Sequence, residues 1–229
     1  MEKIVIACET LKDELTAAVN STGCQLPIIW IDSKYHMEPD GLRKKLQEEI
    51  DSITTAENIL LAFGCCGNAL IGVKANTANL IIPKTDDCIS MVLQKLGEKF
   101  ARPEKTYFLT KGWIESSRSL AAEYQRAVER YGEQRAEKIF KFMLNSYKYL
   151  MLIDTQSYDV KKYKSEAEKL ARITNMELVV ERGGIWFLEK LLTGPYDDNF
   201  CIIPKGQEVK ICHFGYDSSY TPNRSINLI

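Results

Sequence analysis

Reactive side chains follow each of the first four strands that this 229-residue sequence predicts. In chain order they are Cys8, His36, Cys66 and Cys88. The carboxyl ends of parallel strands meet at one edge of an open α/β sheet, and ligands bind at that edge. We therefore expect these four side chains to form one site.

Three thiols and one imidazole are the ligand types of a tetrahedral zinc site, and thiolates also suit iron–sulfur clusters. Helix N-termini lower the pKa of nearby cysteines, which favours the thiolate that binds a metal or attacks a substrate. The chain has no Cys-x-x-Cys pairs at zinc-ribbon spacing, so the fold must bring separate loops together. We predict zinc bound by Cys8, Cys66 and Cys88, with His36 or an external molecule in the fourth position.

The cysteines also have a structural interpretation, because cysteine is often buried and packs as a small hydrophobic residue. Cys66 is favoured over Cys65 as the site residue, since Cys66 abuts a glycine in a loop whereas Cys65 could complete the strand. The remaining cysteines lie in apolar or strand-like segments and are interpreted as structural: Cys24, Cys201 and Cys212.

Other candidate residues flank the same predicted edge. Gly67 would let a cofactor approach the backbone closely, with Asn68 beside it. Trp113 and Glu115 follow the fifth predicted strand, where Trp113 could wall a cofactor pocket and Glu115 could act as an acid or base. Glu9 is a second candidate catalytic carboxylate. A tight turn, a packed tryptophan and solvated carboxylates stay open as alternatives.

Strand and helix patterns alternate along most of the chain, which predicts an α/β fold with parallel, Rossmann-like sheet layers. A long helical pattern separates the first five strands from the last three. We predict two lobes with a cleft at the C-terminal ends of the strands. The predicted divisions are an N-terminal α/β lobe with the cysteine site over 1–115, a helical connector over 116–147 and a C-terminal α/β lobe over 148–229.

Charge and composition restrict the classes of function. The chain has 30 Lys and Arg against 31 Asp and Glu, so it lacks the basic field that nucleic-acid binding requires. No apolar run reaches the roughly 18–20 residues that span a membrane, and the first residues do not resemble a signal peptide. We expect a cytoplasmic protein, where stable disulfides among seven cysteines are not favoured.

Four blocks of the sequence resemble an uncharacterised bacterial and archaeal family, the domain-of-unknown-function family sixteen thirty-eight. These blocks cover 6–9, 64–68, 82–89 and 110–115. The family's Cys-Gly-Asn block falls on 66–68. Its His-Asp-Cys block ends at Cys88, with Asp86 in the place of the histidine. The resemblance implies a connection with corrinoid-dependent methyltransferases of anaerobic one-carbon metabolism.

Three functions fit these observations. The first is a zinc-thiolate enzyme or accessory protein that moves a methyl group between a small thiol and a corrinoid protein or methyltransferase. The second is a binding or maturation protein that holds an iron–sulfur cluster, a corrinoid or another tetrapyrrole. The motif Asp-x-His-x-x-Gly is absent, so a corrinoid would contact the chain transiently or in another mode. The third is a metal-free enzyme with Cys66 or Cys88 as nucleophile and His36 as base.

Overall fold

Short apolar strands alternate with helices in the computed structural model, which describes residues 2–98 and 100–216. The strands are β1 (Lys3–Cys8), β2 (Ile28–Ile31), β3 (Asn58–Ala62), β4 (Asn79–Pro83), β5 (Thr106–Leu109), β6 (Tyr149–Asp154), β7 (Glu177–Arg182) and β8 (Phe200–Ile203). The helices are α1 (Lys12–Thr22), α2 (Pro39–Ser52), α3 (Cys88–Leu93), α4 (Lys111–Ile114), α5 (Leu120–Tyr131), α6 (Glu133–Met143), α7 (Lys161–Thr174) and α8 (Trp186–Thr193). Within the described ranges, no helix is long and apolar enough to cross a membrane.

The described chain divides into two units, and the first combines residues 2–92 with residues 185–216. Its five-stranded sheet has the order β2-β1-β3-β4-β8. Strands β1 to β4 are parallel, whereas β8 runs antiparallel to β4 and places Cys201 opposite Ile82. The strands are apolar and mostly buried because helices cover a sheet of this kind on both faces.

Helix α2 shows how a sequence pattern builds this unit. It begins with Pro39 at its first position, where a missing N–H does no harm. Its apolar residues recur every four positions, so they form one buried stripe: Leu42, Leu46 and Ile50. That stripe packs in the same apolar cluster as the strand residues of the sheet.

The second unit runs from Leu93 to Gly184 and has its own three-stranded parallel sheet, with the order β5-β6-β7. Helices α5, α6 and α7 contribute to one apolar cluster with this sheet. Tyr124 and Phe140 meet edge to face there, with 5.3 Å between ring centroids. The long helical pattern is interrupted at Gly132, which has a φ of 79° and lies between α5 and α6.

The α/β class and the two mostly parallel sheets confirm the predicted fold class. The division of the chain differs from the predicted boundaries. Strand β8 pairs with β4, so the chain after Ile185 returns to the first unit instead of forming a C-terminal lobe with β6 and β7. Helices α5 and α6, predicted as a connector, supply core residues of the second unit. Residues 217–229 of the predicted C-terminal lobe lie outside the described residues.

Candidate functional site

Four parallel strands of the first sheet each have a reactive side chain at or after their C-terminal end. Cys8 is the last residue of β1, and His36 lies in the short 3-10 helix Ser33–Met37 that follows β2. Cys66 lies in the loop after β3, and Cys88 begins α3 after β4. The parallel order of β1 to β4 thus places all four residues at the same end of one sheet.

Cys8 and His36 are in direct contact. The Cys8 Sγ lies 2.8 Å from the His36 Nε2 and 2.9 Å from the Thr10 hydroxyl, and it accepts a hydrogen bond from the Thr10 N–H. Cys8 is fully buried. The His36 ring stacks on Phe63 with 6.3 Å between ring centroids, so an aromatic wall orients the imidazole toward the thiol.

The loops after β3 and β4 are joined backbone to backbone. The Cys65 N–H donates to the Thr85 carbonyl at 2.8 Å, and the Cys66 N–H donates to the Asp86 carbonyl at 2.7 Å. Gly64 makes this contact possible, because a Cβ there would lie 2.6 Å from the Asp87 nitrogen and 2.7 Å from the Thr85 carbonyl oxygen. Any other residue would push the two loops apart.

Cys66 has a left-handed backbone conformation, with φ of 48°. Gly67 and Asn68 continue it at 64° and 71°. For a residue with a Cβ this conformation costs roughly 1–2 kcal/mol, and such strain is concentrated at functional sites. The turn gives Cys66 its orientation beside the loop after β4.

Cys66 shares its surroundings with the other predicted thiols. Burial raises the pKa of the Cys66 thiol well above its usual value, and Cys88, Asp87, Cys8 and Cys65 raise it further. Electrostatic effects of this kind act between neighbouring groups. The structure therefore brings Cys8, Cys66 and Cys88 into one buried neighbourhood.

Asp87 is a member of this neighbourhood that the sequence reasoning missed. Its carboxylate is buried and accepts hydrogen bonds from the Ser90 N–H at 2.8 Å and the Ser90 hydroxyl at 2.9 Å, which caps the start of α3. Its negative charge also acts on His36 and opposes the fall in the pKa of that ring. The sequence does indicate Asp86 or Asp87 as the cap of this helix, but a capping position alone does not predict a place in the site.

Burial keeps the Cys8–His36 pair neutral. Removal from water raises the pKa of the Cys8 thiol to about 12 and lowers the pKa of the His36 imidazole to about 4. Near pH 7 the pair is therefore a thiol and a neutral imidazole, and not the thiolate–imidazolium pair of an activated cysteine nucleophile.

The donor types fit a soft metal ion, but the arrangement is incomplete. Within residues 2–98 and 100–216, no three His, Cys, Asp or Glu side chains converge closely enough to hold a metal ion. The Cys8–His36 contact supplies two donors, and a third must move toward them for a metal to bind. The predicted ligand set thus stays a prediction.

The other predicted residues have separate environments. The Cys65 thiol points to the Asn68 side chain at 3.5 Å, while the Asn68 carbonyl accepts from Arg43 at 3.0 Å. Gly67 is half-buried in the left-handed turn, and Glu9 is exposed. Asp86, which replaces the family's histidine, accepts a hydrogen bond from the Tyr216 hydroxyl.

Trp113 and Glu115 belong to the second unit. Trp113 is half-buried in α4. The Glu115 carboxylate accepts a hydrogen bond from the Tyr163 hydroxyl at 2.6 Å and lies 4.0 Å from the Lys111 ammonium. These contacts lie within their own unit, so a role beside the cysteines stays a prediction for both residues.

The cysteines interpreted as structural differ in exposure. Cys201 is buried in β8 and its thiol donates to the His213 carbonyl at 2.9 Å. Cys24 is half-buried and Cys212 is exposed. Cys212 is therefore a convenient control for experiments on the buried thiols.

A family model described as "Protein of unknown function (DUF1638)" matches residues 30–192. The match covers most of the chain and includes His36, Cys66 and Cys88, whereas Cys8 precedes it. The chain belongs to this family. The resemblance in the sequence blocks is thus confirmed. No curated protein matches the sequence.

The first prediction concerns the contact between the two cysteine loops. Replacing Gly64 with Ala is expected to destabilise the chain by about 1–3 kcal/mol, because its Cβ would meet backbone atoms that have no free rotation. Urea unfolding measures the change. Gly41→Ala in α2 is the control: its Cβ would have ordinary contacts, and the change should stabilise by up to about 1 kcal/mol. Equal stability of the Gly64→Ala chain and the native chain would contradict the close packing.

The second prediction concerns pH. In the folded, metal-free chain His36 binds its proton only near pH 4, whereas in the unfolded chain it does so near 6.5. Stability should therefore be fully present above pH 6.5 and fall between 6.5 and 4, by on the order of 3 kcal/mol at most. The Cys8 thiol affects stability at high pH. Its pKa is raised from 9.0 to about 12 in the folded chain, so the unfolded chain loses this proton first and stability falls as pH rises from about 9 toward 12.

Urea unfolding with chelator present, from pH 4 to 7, measures the acid limb. His36→Gln should flatten it, because glutamine does not titrate. His213→Gln should retain most of it, since His213 is less deeply buried. An unchanged slope in the His36→Gln chain would show that the buried imidazole is not its source.

Proposed function

We propose that the protein binds a soft divalent metal ion, zinc by default, through Cys8, His36, Cys66 and Cys88. The observation that carries this proposal is the 2.8 Å contact between the Cys8 thiol and the His36 imidazole, with two further thiols in the same buried neighbourhood. Thiolate and imidazole are the donors that zinc prefers.

The surroundings of the pair support a binding site over simple core packing. A packed cysteine needs only apolar neighbours, whereas Cys8 contacts an imidazole and a hydroxyl, and the imidazole is oriented by stacking on Phe63. Metal-bound histidines depend on such orienting neighbours. The strained conformation of Cys66 is a second feature that packing alone does not require.

Each residue has a distinct part in this proposal. Cys8 and His36 are the fixed donors, and Cys66 and Cys88 supply the third and fourth by turning toward them. Asp87 holds the start of α3 through Ser90, and its electrostatic effect on His36 would also favour a cation in the neighbourhood. When bound, the metal would lower the pKa of ligated thiols and activate a small thiol or water as a nucleophile.

We further propose that the activated thiol accepts or donates a methyl group in anaerobic one-carbon metabolism. This step rests on the connection with corrinoid-dependent methyltransferases that the family resemblance implies. The sequence has no corrinoid-binding motif, so the corrinoid would arrive on a partner protein. The protein would then be a methyltransferase or its accessory protein, with a small-molecule thiol as substrate.

Two other functions use the same residues. An iron–sulfur cluster would use the same thiols, and a corrinoid or tetrapyrrole would colour the protein. The metal-free alternative has Cys66 or Cys88 as nucleophile and His36 as base. The burial of both thiols disfavours that role, since a substrate carbon would have to reach a sulfur in a residue with little exposed surface.

The third prediction is the metal content. Protein purified without oxygen is expected to contain about one zinc per chain, because the site has one set of soft donors. Cys66→Ser and Cys8→Ser should reduce zinc to about a tenth or less, while Cys212→Ser should retain it. Elemental analysis of the four proteins, with circular dichroism to confirm folding, gives the result.

Three outcomes separate the alternatives. Iron with a visible absorbance band would indicate an iron–sulfur cluster in place of zinc. Full zinc content in the Cys66→Ser chain would show that Cys66 is not a ligand. Protein without any metal, even after incubation with zinc, would overturn the proposal and leave the metal-free nucleophile.

The fourth prediction is methyl transfer from methylcobalamin to a small thiol under anaerobic conditions. The cobalt–carbon bond breaks with both electrons remaining on cobalt, the methyl carbon bonds to sulfur, and the thiol proton goes to solvent. The zinc-loaded protein is expected to accelerate formation of cob(I)alamin and the methyl thioether. Cys66→Ser should reduce the rate at least about 10–100-fold, whereas Cys212→Ser should not. A zinc-loaded protein with no acceleration would end the methyl-transfer proposal and leave zinc binding standing.

A further inference from the structure

A groove of about 570 Å³ lies between helices α5 and α7 of the second unit. Both helices pack on the same apolar cluster, and the groove is the space that they leave between them. All of its lining residues belong to the second unit.

The floor of the groove is apolar. Tyr124 and Leu170 are buried at its base, while Ala121 and Ile173 are partly exposed along it. An occupant could bury further apolar surface here, at roughly 25 cal/mol for each Å² removed from water.

The α7 side of the groove is positively charged. Lys162, Lys169 and Arg172 are exposed along it and make no ion pair with another described residue. Glu166 is the single acidic residue in the described lining. The cations therefore exceed the acidic groups by two along the groove.

Helix α5 shows the contrasting arrangement. There Arg118 and Arg126 both pair with the Glu123 carboxylate, at 3.0 and 2.6 Å. The two arginines beside α5 are thus held by a carboxylate of the chain itself, whereas the α7 cations of the groove have no such internal partner among the described residues.

The spacing of the α7 cations indicates an elongated partner. Ten residues separate Lys162 from Arg172, which at 1.5 Å per residue is about 15 Å along the helix axis. A single phosphate or carboxylate could contact one or two of the three cations. A helix of about three turns has the matching length, with its own apolar stripe placed on the floor.

We propose that the groove between α5 and α7 binds an acidic amphipathic helix of a partner protein. The apolar face of that helix packs on Tyr124, Leu170 and Ile173. Acidic residues along one flank pair with Lys162, Lys169 and Arg172. Unpaired cations around an apolar floor are the chemistry that would select such a helix over a neutral or basic one.

The test is fluorescence anisotropy of the full chain with a dye-labelled synthetic helix. The probe is a 14-residue peptide of Leu, Ala, Glu and Gln, with Leu at helical spacing and Glu along one flank. Saturable binding is expected, weakening as salt concentration rises because the contacts are charged. A scrambled peptide of the same composition, and one with Lys in place of Glu, should bind much more weakly.

Two double variants of α7 locate the contact. Lys162→Glu with Lys169→Glu should weaken binding at least about tenfold, since attraction becomes repulsion in the groove. Lys161→Glu with Lys164→Glu makes the same charge change on the same helix outside the groove lining, and should alter affinity by no more than about threefold.

If both double variants weakened peptide binding equally, binding would depend on the overall charge of α7, and the proposal that the groove is the binding site would be wrong. Absence of saturable binding up to about 1 mM peptide, the weak limit of specific recognition, would also overturn it. So would binding to vesicles of anionic phospholipid in place of the peptide, because an extended surface and not a helix would then be the occupant.

Discussion

The candidate site depends on the close backbone contact between the loops after β3 and β4. Two hydrogen bonds, from Cys65 to Thr85 and from Cys66 to Asp86, join these loops. They form only because Gly64 has no Cβ to separate them. This contact sets the position of Cys66 relative to the loop that precedes Cys88, and the parallel pairing of β1 with β3 places Cys8 at the same end of the sheet. A change in the loop contact would move two thiols at once.

Burial gives the site its chemical character. Cys8 and Cys66 lie in an apolar cluster. Burial also keeps the Cys8 thiol and the adjacent His36 imidazole neutral near pH 7. A neutral, dry cluster of soft donors costs little to fold, since thiols are weakly polar. In the proposed metal site, a bound cation would lower the pKa of these thiols and so convert the neutral donors into ligands.

Much of this arrangement could be predicted from local sequence. Apolar runs and four-residue spacings locate nearly every strand and helix, and the rule that parallel strands present ligands at one edge groups Cys8, His36, Cys66 and Cys88. The return of β8 could not be predicted, because its antiparallel pairing with β4 joins residues more than a hundred positions apart. For the same reason, the predicted C-terminal lobe that begins at residue 148 combines β6 and β7 of the second unit with β8 of the first.

The conformation of Cys66 was also beyond local patterns, and it is the most informative feature of the site. Cysteine has no particular preference for the left-handed region, so the sequence around it predicts an ordinary turn. The structure holds it there with a hydrogen bond from its N–H to the Asp86 carbonyl, and Gly67 continues the left-handed turn. A chain under selection for stability alone could replace Cys66 by glycine and lose this strain. That a thiol stands at a position suited to glycine supports the proposed role for its sulfur, because packing alone does not require a strained cysteine.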